Sequence, residues 1–186
     1  MSKTETKMPY DYAKGVAEHL VSRLSPGCER ILIAGSLRRE RPFVGDIELV
    51  ALPMLTPVLD MFGDAIAGME QSGLDDQLAL LSTEGYTKSG AKYKQFGYKG
   101  ASVDLFIATR DTWGCIATIR TGSSLFTKWL VSPMRHGGGC PSHLRFHEGR
   151  IMQGSEPLDT SEERQVFDAL DLRWIEPVER IDGRWR

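Results

Sequence analysis

The sequence predicts an α+β fold in which a mixed β-sheet flanked by helices is followed by a small α/β lobe. Three observations predict it. Tyr12, Val16, Leu20 and Leu24 recur every four residues, the spacing of an apolar stripe along one helix face. Short apolar or alternating runs at 31–34, 46–52 and 101–107 have the length and patterning of strands. From Asp111 onward the pattern changes to helical segments interrupted at Thr121-Gly122. That change divides the chain into an expected first unit at 9–109 and a second at 110–186.

The first helix ends at Ser25-Pro26-Gly27, residues that do not continue a helix. The strand at 31–34 stops at Gly35-Ser36, and a sharp loop at 40–45 leads into the alternating strand at 46–52. Residues 57–81 read as two or more helical patches. The stretches 86–98 and 101–107 read as strands joined through Lys99-Gly100. In the second unit two helices precede the glycines 137–139, expected to be a mobile connection because no strand-to-helix context makes them a phosphate cradle. A short sheet-like tail follows. Trp113, Phe126, Trp129 and Trp174 read as core residues, with Phe126 the one to consider for stacking on a base.

Composition narrows the function classes. With 41% hydrophobic and 26% charged residues over 186 positions, the chain can bury a core and lies outside disordered and fibrous compositions. No run approaches the roughly 20 apolar residues of a membrane span. The opening MSKTETKMPY also lacks the apolar core of a secretory signal, so a cytoplasmic protein with no membrane partner is expected. Cys28, Cys115 and Cys140 are odd in number and widely spaced, which suits free thiols. His143 and His147 lack both a third ligand and an adjacent glutamate, so zinc is not expected. A net charge of -2 excludes a uniformly basic coat, but the charge is uneven. Residues 27–85 carry ten acidic and four basic side chains, whereas 86–150 carry three acidic and ten basic, the balance that meets phosphates.

The chemistry concentrates on three carboxylates. In Asp46-Ile47-Glu48-Leu49 alternation sends both acids to one face of a strand, and like charges that close are costly without a cation between them. Asp104 interrupts the apolar run Val103-Asp104-Leu105-Phe106 and likewise needs a partner. Oxygen ligands of this kind suit magnesium, and three of them on neighbouring strands can hold the two ions of a phosphoryl-transfer site. The Gly35-Ser36 turn offers amides and a hydroxyl to a phosphate, and Arg38 and Arg39 follow with guanidinium groups suited to triphosphate oxygens.

The segment 34–39, Ala-Gly-Ser-Leu-Arg-Arg, followed by Gly45-Asp46-Ile47-Glu48-Leu49, resembles the palm signature of the family X DNA polymerases. Val103-Asp104-Leu105 is similar to the family's third carboxylate strand, and Thr121-Gly122-Ser123-Ser124-Leu125-Phe126 to its nucleotide-binding turn. The stretch 163–180, with Trp174-Ile175-Glu176-Pro177, is similar to its terminal segment, so the likeness spans residues 12–182. It implies a nucleotidyltransferase palm at 9–109 and a thumb-like lobe at 110–186. The implied activity is that of a DNA-directed DNA polymerase, adding deoxynucleotides to a primer 3′-hydroxyl by two-metal-ion transfer in gap-filling repair.

By position, the resemblance implies that Asp46, Glu48 and Asp104 bind two magnesium ions, with manganese as a substitute, and that Asp104 helps deprotonate the primer hydroxyl. Gly35, Ser36, Arg39 and Gly45 would hold the triphosphate. Thr121, Gly122 and Ser123 would form the turn beneath sugar and base, and Lys92, Lys94, Arg120 and Lys128 would contact nucleic acid. The implied partners are a nucleoside triphosphate and a primer-template or gapped duplex, bound by a monomer. The likeness is to minimal palm-plus-thumb polymerases of some viruses, so a phage or viral protein in the host cytoplasm fits, and no lyase activity is expected. The sequence departs from the family at Glu48, where aspartate is usual, at Ile119-Arg120 before the turn, and at Ser102. Two other readings stand beside it: a template-independent nucleotidyltransferase acting on RNA, protein or a small molecule, and a catalytically inactive nucleic-acid-binding module.

Overall fold

A computed structural model of the chain describes residues 7–183 and 185. Strand β1 (Met8–Pro9) leads into helix α1 (Tyr10–Leu24), closed by the 3-10 turn Ser25–Gly27. Next come β2 (Cys28–Ile33), the single turn α2 (Gly35–Arg38), β3 (Phe43–Val44) and β4 (Ile47–Pro53). The hairpin β5 (Leu55–Leu59) and β6 (Ala65–Ser72), helix α3 (Gly73–Ala79), and strands β7 (Tyr86–Ser89), β8 (Tyr93–Tyr98) and β9 (Ala101–Ile107) complete the first part. Then follow α4 (Trp113–Thr121), α5 (Ser124–Val131), β10 (Leu144–His147), β11 (Arg150–Gln153), β12 (Glu156–Pro157) and α6 (Glu163–Ala169).

The central sheet has the order β2-β4-β9-β8-β7 and is mixed, because β4 and β9 run parallel while the other neighbours are antiparallel. Alternation along β4 and β9 sorts their side chains between two faces. Ile47, Leu49, Ala51, Val103 and Leu105 pack beneath Ala13, Val16, Ala17, Leu20 and Leu24 of α1 and Leu74 and Leu78 of α3. Val50, Leu52, Phe106 and Ala108 turn to the opposite face and meet Trp113 of α4. Each large aliphatic side chain buried in this way contributes about 1.5–3 kcal/mol. A separate cluster contains Cys115, Phe126, Leu130, Ile151, Val166 and Phe167, around the three-stranded sheet β10-β11-β12. Helix α4 serves both, with Trp113 in one cluster and Cys115 in the other. Among the described residues no helix is long and apolar enough to cross a membrane. All three cysteines are buried and unpaired, and burial pushes the Cys28 and Cys115 thiols up to about 11.

Several sequence expectations need correction. The helical patches expected at 57–81 are a β-hairpin, and only Gly73–Ala79, capped by Ser72, is helical. The Asp60 carboxylate accepts hydrogen bonds from the Phe62 and Asp64 amides, which favours a turn over a helix. Because Leu59, Met61, Phe62 and Met69 are exposed, the hairpin lacks the one-sided burial that would have marked it as strand. The stretch 86–98 is two strands, β7 and β8, folded back on each other. Tyr12 leaves the α1 stripe: it is 51% exposed, its hydroxyl donates to the Lys99 carbonyl at 2.7 Å, and Ala13 takes its place in the core. The glycines 137–139 form a packed turn rather than a mobile connection. A Cβ on Gly138 would lie 1.9 Å from the Ser132 carbonyl oxygen, and one on Gly139 2.9 Å from the Trp129 ring. Phe126 is fully buried against Trp129 and Trp185 and is not presented to a base.

A buried charge cluster joins the two parts. Glu163 at the start of α6 accepts from Arg38 at 2.6 Å and from Arg180 at 2.7 Å, and Arg180 is 0% exposed. Arg38 also donates to the Thr121 hydroxyl at 2.8 Å, and Arg180 to the Ile175 carbonyl at 3.0 Å while facing the Phe167 and Trp174 rings. Burial alone would raise the Glu163 carboxyl, but the hydrogen bond from Arg38 and the charges of Arg180 and Arg38 outweigh it and hold it below its ordinary value. Removing this carboxylate leaves buried guanidinium groups uncompensated, a loss of about 3–5 kcal/mol. Glu163→Gln should therefore lower the unfolding free energy by that amount in urea titrations. Since the folded carboxyl is depressed, its contribution is present above the ordinary carboxylate range and is lost as pH falls through it, so the gap between wild type and variant should narrow in acid.

Candidate functional site

The parallel pairing of β4 with β9 sets Glu48 directly beside Asp104. Asp46 lies in the bend just before β4, two residues from Glu48, and all three acids are half-buried. The arrangement has an electrostatic cost. Burial first, then the charge of Asp46 and to a lesser degree that of Asp104, raise the Glu48 carboxyl from the ordinary 4.5 to about 7, against the pull of Arg39 and Arg120. Asp104 is held from the neighbouring strand: the Tyr93 hydroxyl and the Gln95 side-chain amide each donate to its Oδ1 at 2.8 Å. Among the described residues no group of three or more His, Cys, Asp or Glu side chains is arranged, as it stands, to hold a metal ion.

The Gly35-Ser36 turn caps the carboxylates. Gly35 has φ +60°, and a Cβ there would fall 2.0 Å from Glu48 Oε2, so the absence of a side chain makes room for Glu48 itself. The Ser36 hydroxyl is buried beside this turn with no hydrogen-bond partner, as is Arg39 Nε. A buried donor of this kind ordinarily finds a partner. Arg39 Nη1 donates to the Thr121 and Gly122 carbonyls at 2.7 and 3.1 Å. Gly45 lies directly before Asp46 between β3 and β4. Gly122 is sterically obligatory, since a Cβ would approach the Phe126 ring at 2.4 Å.

Two cavities open on this site. One, of about 510 Å³, is lined by Arg39, Asp46, Glu48, Ile119, Arg120, Gly122, Ser124, Thr127 and Lys128. The other, of about 600 Å³, lies on the Asp104 side, lined by Lys88, Lys92, Tyr93, Phe106 and Arg150 among others. Arg120 lines both, with its guanidinium 3.8 Å from the centroid of the Phe106 ring and its Nε buried and unpartnered.

The structure thus brings Asp46, Glu48, Asp104, Arg39, Gly122, Arg120, Lys128 and Lys92 to the walls of these cavities, with Gly35 and Ser36 in the turn over Glu48, but it changes the standing of others. Arg38 is engaged by Glu163 and Thr121 and is not a free phosphate ligand. The Thr121 hydroxyl accepts from Arg38. Ser123 caps α5 and donates to Asp182 at 2.8 Å, so its hydroxyl is in use. Lys94 pairs with Asp75 at 3.2 Å and points away from the cleft, because it alternates with Tyr93 and Gln95 along β8. Sequence reasoning missed Tyr93 and Gln95. Comparison of the chain with protein-family models and with curated proteins found no match.

The raised Glu48 carboxyl gives a signature that can be measured without any substrate. Its folded form holds the proton more tightly than the unfolded form, so the Glu48 contribution to stability is fully present at low pH and is lost as pH rises from about 4.5 to about 7. Glu48→Gln should remove that component, and the difference between the two unfolding free energies should grow across this window and level off above it. A difference that stays constant with pH would mean that Glu48 does not carry the burden of the site.

Proposed function

We propose that the chain is a magnesium-dependent nucleotidyltransferase, a DNA polymerase of the family X type that extends a primer across a short gap. The observation that carries this reading is the side-by-side register of Glu48 and Asp104, with Asp46 adjacent and an unpartnered Ser36 hydroxyl buried at the same turn. Burial first, and then the charges of Asp46 and Asp104, raise Glu48 even with Arg39 and Arg120 nearby, so a cation beside these carboxylates would relieve the site, and an all-oxygen set of this composition suits magnesium. Asp46, Glu48 and Asp104 would hold the ions, which when bound supply Lewis-acid stabilisation of a transferring phosphoryl group.

The chain's own groups account for the rest. Arg39 lines the smaller cavity and its guanidinium would meet phosphate oxygens there, while Ser36 Oγ, three residues before it, is a buried donor without an acceptor at the turn over Glu48. Lys128, on the same wall, adds charge complementary to a triphosphate. Arg39, by holding the Thr121 and Gly122 carbonyls, fixes the turn on which sugar and base would rest. Asp104 faces the second cavity and is the carboxylate positioned to take a proton from an incoming hydroxyl. The cations Lys88, Lys92 and Arg120 around that cavity suit a polyanionic acceptor strand.

The test is primer extension on a one-nucleotide gapped duplex with magnesium, each nucleotide supplied singly in deoxy and ribo form. Incorporation should follow the template base, and Asp104→Ala should reduce it by about 10²–10⁴-fold, the range associated with a lost general base. Untemplated addition would move the assignment to a template-independent transferase. No addition with any nucleotide or metal would favour a binding module.

A further inference from the structure

We propose that Tyr93 and Gln95 are positioning residues that hold Asp104 by one oxygen so that its other oxygen is presented to the metal and acceptor; this rests on the functional reading above. Counting across the Lys99-Gly100 turn, Gln95 falls opposite Asp104 and Tyr93 opposite Phe106, on the same face of the sheet. Both donors converge on Oδ1, each at 2.8 Å. A carboxylate held by one oxygen cannot rotate freely, and its second oxygen keeps a fixed direction.

Each donor is itself fixed. The Thr87 hydroxyl on β7 donates to Gln95 Oε1 at 2.9 Å, so the Gln95 amide turns its NH₂ toward Asp104. The Tyr93 ring stacks on Phe106 with centroids 5.0 Å apart, and the Lys88 ammonium lies 5.4 Å from the Tyr93 centroid. The Arg120 guanidinium on Phe106 continues the stack to α4. Three strands and a helix therefore converge on the orientation of one carboxylate. A purely structural role would require only that Asp104 be satisfied. Here both donors crowd one oxygen of a residue that borders a 600 Å³ cavity.

The test uses the whole chain and Mn²⁺ as the probe, followed by electron paramagnetic resonance or calorimetry, beside steady-state nucleotide addition. Outer-shell partners of metal ligands are worth about 10–100-fold in affinity or activity. Tyr93→Phe, which keeps the ring stack and removes only the hydroxyl, and the double variant Tyr93→Phe/Gln95→Leu should each bind Mn²⁺ more weakly. The double variant should reach that 10–100-fold range with the thermal unfolding midpoint close to wild type, and kcat should fall with little change in the nucleotide KM. Unchanged Mn²⁺ affinity and kcat in the double variant, while Asp104→Ala loses both, would overturn the positioning role and leave the functional reading intact. A wild-type chain that neither binds Mn²⁺ nor adds a nucleotide would overturn the functional reading, and this inference with it.

Discussion

The parallel contact between β4 and β9 is the constraint on which the rest of the molecule depends. Parallel neighbours cannot be joined by a tight turn, so the chain must leave β4, build the exposed hairpin, α3, β7 and β8, and return before β9 can lie beside β4. That detour produces the Glu48–Asp104 adjacency, and it also supplies β8, the strand that steadies Asp104 from the other side. The same pairing sends Ile47, Leu49, Val103 and Leu105 into the core under α1 and α3. Apolar burial on one face thus holds together anions that would otherwise separate on the other.

The second part of the chain is tied to this sheet through charge as well as packing. Glu163 lies between Arg38, which follows the Gly35 turn, and Arg180, which is wholly buried. Arg38 and Arg39 are adjacent in sequence and divide the work: the first reaches α6 and the Thr121 side chain, the second the Thr121 and Gly122 carbonyls. The turn that caps the carboxylates is therefore also the point at which the two parts are clamped together.

The legibility of the fold in the sequence varied with the range of the interactions involved. Alternation in 46–52 and 101–107 and the four-residue spacing of Val16, Leu20 and Leu24 are local patterns, and they gave the mixed sheet and its covering helix. The hairpin at 55–72 failed that test because neither face is buried, leaving no period to read. The asymmetry at the site is similar. Grouping Asp46 with Glu48 needed only alternation, whereas the partners of Arg38, Ser123 and Lys94 lie 125, 59 and 19 residues away and left no local mark. Tyr93 and Gln95 were within reach: once Lys99-Gly100 was read as the turn, pairing outward from Tyr98 and Ala101 sets Gln95 against Asp104.

The burial of all three cysteines has a practical consequence. With Cys28 and Cys115 pushed up to about 11 and Cys140 also raised, no thiolate is offered to a reagent at neutral pH. A single cysteine introduced on the surface, at Leu125 on α5 or at Met61 on the exposed hairpin, would then be the one reactive thiol of the folded chain. The native sequence is in this sense already a background for site-specific fluorophores or spin labels, and a label on α5 or on the hairpin can be followed without first removing any natural cysteine.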